Sequence, residues 1–274
     1  TRSVCPQDRP RIERLQRDDH RALHYNAWWW QEHLDDPLLV ITERGTDLVG
    51  ALLVCADEMP VAWVRWGILE PSLDAADWLG RLFPMILKEL RSRGVEHLAL
   101  LDDGRWADCD LAGHGFKRFE TVLAMQKTTR VCPALCPTPA HLRPGVTGDV
   151  PAIWRIERAA FLPHWWHSQD TLRRALAQSS YVVVAQVDDQ VVGFASGQVY
   201  LPLAHVDRIA VHPAYQHQGI GAQLLQDVLQ SFWQAGVDEV LLNTQASNRP
   251  AQRLYRRFGF RVNGDYLIVW DLTL

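Results

Sequence analysis

Two glycines at the start of a predicted helix form a candidate anion-binding loop. Residues 209–222 have the pattern of a strand, a loop and a helix whose apolar side chains recur with the 3.6-residue period. Gly219 and Gly221 fall in the first turn of that helix. Free N–H groups and the positive helix end favour an anion there, and glycine lets a phosphate approach the backbone closely. The pattern therefore predicts a pyrophosphate-binding loop.

Other interpretations of these glycines stay open at this point. Glycine is common in strand-to-helix turns for its conformational freedom alone. The loop is not a P-loop, because no Gly-Lys-Ser/Thr follows it. The dinucleotide pattern G-x-G-x-x-G is also absent, because Gln223 and Leu224 occupy its final spacing.

A second run, residues 248–260, has the signals of a short helix. Asn248 is a helix-capping residue, Pro250 falls near the first turn and Gly259 ends the helix. Tyr255 lies seven residues after Asn248, two turns later on the same face. Core packing is the alternative interpretation of this tyrosine.

The two halves of the chain repeat the same landmarks. The offset between corresponding residues stays between 142 and 144 for Gly50 and Gly193, Pro71 and Pro213, Gly94 and Gly236, and Gly115 and Gly259. A nearly constant offset indicates a tandem duplication of one α/β domain. In each half we expect a short strand, a helix capped by an acid (Asp149 in the second half), hairpin strands, a helix, a strand, a helix and a strand. Prolines between residues 132 and 144 predict an extended linker, so we expect domains at 1–131 and 142–274 with a linker at 132–141.

Together, Gln216-x-x-Gly219-x-Gly221 and the run from Asn248 to Phe260 resemble the motifs of the GCN5-related N-acetyltransferase (GNAT) superfamily. Those motifs are Q/R-x-x-G-x-G/A and, downstream, N-x-x-A-x-x-L-Y-x-x-x-G-F. The resemblance implies an α/β fold of two tandem GNAT-type domains, each a mixed, mostly antiparallel sheet flanked by helices. It implies direct acyl transfer from acetyl-CoA, without a metal, to a primary amine of a small molecule, a peptide or a protein N-terminus. A non-catalytic acyl-CoA-binding sensor and a nucleotide-binding domain are the alternatives.

The resemblance also implies residue roles. The strand through Ile209 would diverge from its neighbour, so that pantetheine pairs with main-chain groups of Ile209 and Val211. The Val211 N–H would polarise the thioester carbonyl. Asn248 would bind the pantetheine arm, and Tyr255 would protonate the leaving thiolate as general acid. The implied cofactor-binding residues are Ile209, Ala210, Val211, Gln216, His217, Gln218, Gly219, Ile220, Gly221, Ala222, Asn248 and Tyr255.

The general base has to come from elsewhere. The ribosomal-protein N-acetyltransferase subfamily, which the second motif resembles, usually has Glu on the strand before the Asn, but Asn243 stands there. The preceding strand is similar to a stretch of arylalkylamine acetyltransferases in which two histidines alternate. His205 matches the first, and Asp207 stands at the second. Alternation puts both side chains on one face, and histidine suits proton transfer near neutral pH. We expect His205 as the base, with Asp207 either orienting it or acting through a water molecule; a His205 that only packs or faces solvent is the alternative.

The acceptor side is predicted from the resemblance, which implies that the loop after the first helix lines the acceptor. That loop includes Phe161, His164, Trp165 and Trp166. The tryptophans suit binding of a cation or an aromatic amine by stacking. Packing onto the helix beneath is the alternative, and Trp28, Trp29 and Trp30 occupy the matching place in the first half.

The first half lacks the residues implied to bind acetyl-CoA. Two carboxylates fall in the loop that should receive a pyrophosphate, where like charges repel. We therefore expect a degenerate, non-catalytic first domain. The residues at the positions of Gln216, Gly219, Gly221, Asn248 and Tyr255 are Asp74, Asp77, Leu79, Gly104 and Leu111.

Composition limits the partners. A net charge of −4 requires no basic surface, so we expect no nucleic-acid partner. No run approaches the ~18 apolar residues of a membrane span, so we expect no membrane partner. The five cysteines include no C-x-x-C pair, which predicts free thiols, a reducing cytoplasm and no structural metal. No pattern indicates the oligomeric state.

Overall fold

A computed structural model describes residues 1–17, 21–22, 30–104, 106 and 109–274. Its strands, in chain order, are β1 (Arg2–Ser3), β2 (Arg21–Ala22), β3 (Leu39–Arg44), β4 (Asp47–Glu58), β5 (Val61–Leu69), β6 (His97–Asp102), β7 (Lys117–Lys127), β8 (His141–Pro144), β9 (Tyr181–Val187), β10 (Gln190–Tyr200), β11 (Leu203–Val211), β12 (Glu239–Gln245) and β13 (Arg261–Thr273). Its α-helices are α1 (Arg9–Arg17), α2 (Ala75–Ser92), α3 (Val150–Ala160), α4 (Gln169–Gln178), α5 (Ile220–Gln234) and α6 (Arg249–Arg257). None of the described helices is long and apolar enough to cross a bilayer.

The chain forms two compact units, each a sheet flanked by helices. The first unit comprises Thr1–Glu120 and Leu267–Leu274, and the second comprises Thr121–Tyr266. The strand order is β1-β3-β4-β5-β6-β13 in the first unit, with β2 beside β5, and β8-β9-β10-β11-β12-β7 in the second. Neighbouring strands are antiparallel except β5–β6 and β11–β12, which are parallel. The predicted α/β fold of two similar, mostly antiparallel domains is confirmed.

The last strand of each half belongs to the other unit. Residues 122–127 of β7 pair with β12 in the second unit, whereas residues 268–273 of β13 pair with β6 in the first. The compact units therefore do not coincide with the expected domains 1–131 and 142–274. Both copies end on a strand that follows Gly-Phe. Local sequence pattern does not distinguish the two pairings.

An arginine–aspartate clamp at the start of each unit repeats with an offset of 141 residues. Arg2 and Arg143 each make two hydrogen bonds to one carboxylate, that of Asp8 and Asp149 respectively. Asp149 is the N-cap residue of α3, as predicted, but its side chain does not cap the helix. Its carboxylate accepts from the Val146 N–H and from Arg143, and makes no side-chain cap on α3. The acid closes a short 3-10 turn before the helix because Arg143 holds it there.

Two layers of helices cover the sheet of the second unit. On one face Ile153 and Ile156 of α3 and Leu172 of α4 pack against Phe194 and Ala210. On the other face lies α5, whose predicted apolar stripe is entirely buried and consists of Ile220, Leu224, Leu225, Val228, Leu229 and Phe232. The 3.6-residue pattern therefore identified the packed face correctly.

The expected linker has no helix or strand before β8 begins at His141, but it is packed along the second unit. Ala140 belongs to the core, and Cys132 and Leu135 pack against it. Thr138 donates a hydrogen bond to the Gln223 side chain in the first turns of α5. The prolines prevent a helix or strand in this segment, but the segment is packed against the second unit and is not a flexible linker.

The expected helix before the last strand of the first half is absent from its described residues, 103–104, 106 and 109–116, which form turns. The Asp102 carboxylate accepts from the N–H groups of Gly104 and Trp106, which bends the chain directly after β6. Positive φ angles at Gly104, Asp110 and Gly115 interrupt helical geometry further. The expectation from the repeat was wrong here because the first copy lost the local helix signals.

Candidate active site

The parallel strands β11 and β12 separate halfway along their length. Their register runs from Leu203 opposite Glu239 to Val206 opposite Leu242 and stops there. Residues 207–211 of β11 and 243–245 of β12 therefore leave a gap between the strands. A β-bulge lies at the same point, because Asp207 has no opposite residue on β10. Bulges bend and twist a strand, which accounts for the divergence.

The backbone of β11 presents hydrogen-bonding groups to this gap. The His212 N–H donates to Val192 O on β10 at 2.8 Å, and Val211 lies opposite Gly193. In an antiparallel pair, successive residues point their main-chain groups in alternate directions. The N–H groups of Ile209 and Val211 therefore face away from β10, toward the gap. The Gln216 side chain donates to Val211 O at 2.9 Å, so it reaches this same edge.

The predicted anion-binding loop leads into the N-terminus of α5. Gly219 is the N-cap residue with a φ of +83°, a conformation that disfavours residues with a Cβ. Its carbonyl accepts from the N–H groups of both Ala222 and Gln223. The N–H groups of Ile220 and Gly221 precede the first residues that can pair within the helix. They are therefore available to an anion at the positive helix end.

The chain itself requires glycine more strictly at 219 than at 221. A Cβ on Gly219 would lie 3.2 Å from Thr138 Cγ2, in addition to the backbone strain. A Cβ on Gly221 would be in ordinary contact, 3.7 Å from Val211 Cγ2. The packing of the chain therefore does not require glycine at 221, which is compatible with the predicted close approach of a phosphate.

Asn248 and Tyr255 lie on α6 as the spacing predicted. Asn248 Oδ1 accepts from the Ala251 N–H at 3.2 Å, which leaves the side-chain NH2 able to donate elsewhere. Tyr255 is buried, and its ring meets Phe260 edge-on. Burial raises the pKa of Tyr255 above its ordinary value, because the phenolate is poorly solvated there. A phenol is protonated at neutral pH in any case, so Tyr255 carries the proton that its predicted role as general acid requires.

His205 and Asp207 form a hydrogen-bonded pair at the start of the gap. His205 Nδ1 lies 2.8 Å from Asp207 Oδ1, and both side chains are partly exposed. A histidine that donates Nδ1–H to a carboxylate keeps its lone pair on Nε2, where it can accept a proton. Asn243 is exposed on β12, one residue beyond the last pair with β11. The pair is thus compatible with the predicted base, and the residue of β12 at this point is an amide rather than an acid.

The aromatic residues of the loop after α3 are largely engaged by the chain itself. His164 is buried. The Arg158 guanidinium lies 4.0 Å from the ring centroid of Trp166, and the Trp166 indole donates to Phe161 O. The Phe161 ring is covered in turn by Arg208, at 4.5 Å. These contacts favour the packing alternative for Trp166 over stacking with a free cation. Trp28 and Trp29 lie outside the described residues.

Sequence reasoning missed a charged pair in this region. Glu157 on α3 is fully buried, and its Oε1 lies 2.6 Å from Arg208 Nε on β11. Burial alone would raise the pKa of Glu157, but Arg208 and His167 together hold it below its usual value. One signal in the sequence could have revealed Glu157. It is an acid that directly follows the apolar Ile156, on the face of α3 that packs against the sheet.

The first unit differs at the corresponding loop. Its helix α2 begins at Ala75, about one turn earlier in the repeat than α5 does. Asp74 occupies the N-cap position, and its carboxylate accepts from the Asp77 N–H at 2.8 Å. A carboxylate of the chain therefore already occupies the end of the helix that would bind an anion.

The other positions that we predict to be catalytic are also replaced in the first unit. Trp63 and Arg65 stand where the second unit has His205 and Asp207, and Arg65 is likewise the extra residue of a bulge. Leu111 stands in place of Tyr255. The turn confirms this alignment, because Phe116 N–H donates to Leu111 O just as Phe260 N–H donates to Tyr255 O.

Similarity to known proteins agrees with this geometry. The family model described as the acetyltransferase (GNAT) family matches residues 150–260. A ribosomal protein bS18-alanine N-acetyltransferase from Salmonella typhimurium is 34% identical over 114 residues, which cover 42% of this chain and 76% of that protein. A mycothiol acetyltransferase from Thermomonospora curvata is 28% identical over 195 residues, 64% of this chain and 64% of that protein.

A tandem GNAT protein from the clavulanic acid biosynthesis pathway has the same fold. Its TM-score is 0.61 at 17% identity, and the match covers 100% of this chain and 97% of that chain. The chain therefore belongs to the acetyltransferase (GNAT) family and is an acyltransferase built of two tandem GNAT-type domains.

Proposed function

We propose that the second unit transfers an acetyl group from acetyl-CoA directly to a primary amine of a small molecule, a peptide or a protein N-terminus. The observation that carries the proposal is the His205–Asp207 pair at the point where β11 and β12 diverge. The relatives support amine acceptors, since one is named for an alanine of a ribosomal protein and another for mycothiol.

The residues around the gap fit acetyl-CoA. The N–H groups of Ile220 and Gly221 suit a pyrophosphate, and those of Ile209 and Val211 suit the amides of pantetheine. The side-chain NH2 of Asn248 is a further donor. When bound, the cosubstrate supplies an activated acyl group as a thioester.

The chain's own groups can then perform acyl transfer. His205 Nε2 accepts a proton from the incoming ammonium, and Asp207 fixes the tautomer that allows this. The Val211 N–H donates toward the carbonyl oxygen as charge develops there while the N–C bond forms. The Tyr255 hydroxyl gives its proton to the sulfur as the C–S bond breaks. His205 then releases its proton to solvent. The nitrogen loses a second proton as the amide forms, and this proton, passed through solvent, restores the Tyr255 hydroxyl. The cycle therefore yields the amide, the CoA thiol and one proton.

A screen for released CoA thiol tests the proposal. The chain would be incubated with acetyl-CoA and a panel of peptides that begin with alanine, an arylalkylamine and a polyamine, followed by mass spectrometry of each acceptor. We expect turnover and an acetylated amine with at least one acceptor, and strongly reduced turnover for His205→Ala. Acetyl-CoA binding without turnover of any amine would instead favour the sensor alternative.

A further inference from the structure

Glu157 is a buried charge that joins three parts of the second unit. It lies on α3 and is 0% exposed. One carboxylate oxygen lies 2.6 Å from Arg208 Nε on β11. The other accepts from the His167 N–H at 3.3 Å and lies 3.4 Å from His167 Nδ1. Glu157 therefore ties β11 to the end of residues 161–168, called the acceptor loop below.

Arg208 holds the rest of the acceptor loop. Its guanidinium donates to Trp165 O and lies over the Phe161 ring at 4.5 Å. It directly follows Asp207 in the bulge, so the residue that grips the loop adjoins the residue that orients His205. The fork shape of the guanidinium makes these simultaneous contacts possible.

The fold itself does not require this ion pair. A buried pair is often no more stabilising than apolar residues of similar volume, although removing one partner is costly. The first unit provides the comparison within the same chain. At the corresponding positions it has Gln16 and Trp66, and Trp66 is fully buried in an apolar cluster. A GNAT-type unit thus folds without the charges, and the unit that has them is the one with the His205–Asp207 pair.

We propose that Glu157 and Arg208 are positioning residues that fix the acceptor loop beside His205 and thereby set the affinity for the acceptor amine. The inference rests on the proposed function, because it assigns the loop to the acceptor side of that same site. The described contacts of the two side chains are with each other and with the acceptor loop, and none of them involves residues 216–222. Loss of the pair should therefore alter acceptor binding and leave acetyl-CoA binding unchanged.

Comparison of single and double variants separates positioning from stability. Glu157→Gln leaves Arg208 without its counter-charge, so the melting temperature of this single variant should be lower than that of the wild type. Glu157→Gln combined with Arg208→Met removes both charges and should recover most of the melting temperature. In the double variant we expect the KM for the best acceptor of the panel to rise by roughly tenfold or more, because the loop is no longer held in place. The KM for acetyl-CoA should stay within about twofold, as the pair does not reach that side.

Hydrogen exchange provides a readout that needs no acceptor. In the double variant the amides of residues 161–168 should exchange faster, whereas those at the start of α5 should not. The control is Asp149→Asn with Arg143→Met, which removes another arginine–carboxylate pair of the same unit without touching the loop. It should leave both KM values and the exchange of the loop unchanged.

The outcomes are distinct. A double variant with recovered stability, wild-type acceptor KM and wild-type exchange would overturn the proposal and leave the pair a purely structural feature. Faster exchange with an unchanged acceptor KM would also overturn it, because the loop would then not set acceptor affinity. If no amine is acetylated, the proposed function fails, while exchange still decides whether the pair anchors the loop.

Discussion

Tyr255 has the protonation state that its expected role demands. Burial raises its pKa further above neutral pH, so the hydroxyl carries the proton that the proposed donation to a leaving thiolate requires. Tyr255→Phe keeps the ring and its packing against Phe260 but removes that proton. We expect kcat to fall by about 10²–10⁴-fold, with the dissociation constant of acetyl-CoA nearly unchanged, measured by single-turnover kinetics and calorimetry.

Tyr181 provides the matched control for this change. It is a partly buried tyrosine with a raised pKa, but its hydroxyl bonds to Asp227, away from the gap. Tyr181→Phe should affect stability more than kcat. Equal chemical rates for Tyr255→Phe and the wild type would remove Tyr255 from the mechanism.

His205 should determine the acid limb of the pH–rate profile. If Nε2 must accept a proton, kcat/KM falls as pH falls and the imidazole becomes protonated. His205→Ala should therefore lower kcat/KM and flatten this limb. His141→Ala, on the exposed strand β8, should retain the wild-type profile. An acid limb that survives His205→Ala with the same midpoint would place the base elsewhere.

At the residue scale, sequence pattern was informative for groups that act locally. Alternation along one strand placed His205 and Asp207 together, and helical spacing placed Asn248 and Tyr255. Sequence pattern did not predict the contact between Glu157 and Arg208, because the two residues are 51 positions apart and only the fold brings them together. The tryptophans were ambiguous for a related reason, since composition does not reveal that Arg158 covers Trp166.

At the element scale, helix α5 is flanked by a glycine at each end, and the two glycines have different expected roles. Gly219 and Gly236 both have positive φ angles, so a side chain strains either position. Only Gly219 lies at the positive end of the helix, next to N–H groups that can bind an anion. Gly219→Val should weaken acetyl-CoA binding by roughly tenfold or more, equal to about 1.4 kcal/mol. Calorimetry on the folded protein measures this directly.

Gly236→Val supplies the control, because it adds comparable backbone strain in open space at the opposite end of α5. We expect it to lower the melting temperature without a change in affinity. Wild-type affinity in Gly219→Val would contradict the assignment of this loop to the pyrophosphate.

The Arg143–Asp149 clamp at the start of α3 should make stability depend on pH. Arg143 holds the pKa of Asp149 below its ordinary value of 3.8. A carboxyl group whose pKa is lowered by folding stabilises the protein above its unfolded pKa, and loses that contribution as pH falls toward the folded value. Asp149→Asn should therefore lower the free energy of unfolding at neutral pH by on the order of 2 kcal/mol.

That difference should shrink below about pH 4, where Asp149 of the unfolded wild-type chain becomes protonated. Urea unfolding of both proteins at neutral and acidic pH measures it. If the difference in unfolding free energy stays constant across this pH range, the charge of Asp149 does not account for the lower stability of the variant.

Elements were predictable where their signals were local. The stripe of α5 and the ends of α6 followed from apolar spacing, Asn248 and Gly259. Two features did not follow: the turns that replace the expected helix in the described part of residues 103–116, and the exchange of last strands between units. The first depends on how Asp102 ties down the next turn, and the second on which of two similar sheets a strand completes.

At the scale of the whole molecule, duplication has left two units with different capacities. The first unit keeps its core, its clamp and its parallel strand pair. Its Asp74 carboxylate occupies the helix terminus that would bind an anion, and Trp63, Arg65 and Leu111 replace the residues expected to catalyse transfer. Like charges repel a pyrophosphate there. We therefore propose that each chain binds a single acetyl-CoA, in the second unit.

A crystal structure of the chain soaked with acetyl-CoA tests the central claim most directly. We expect density for one molecule, with its pyrophosphate at the N–H groups of residues 218–221 and its thioester in the gap between β11 and β12, near His205. The first unit should show no such density near Asp74. A cosubstrate bound at the end of β5 in the first unit, or a gap left empty while acetyl-CoA binds elsewhere on the chain, would contradict the assignment of the site.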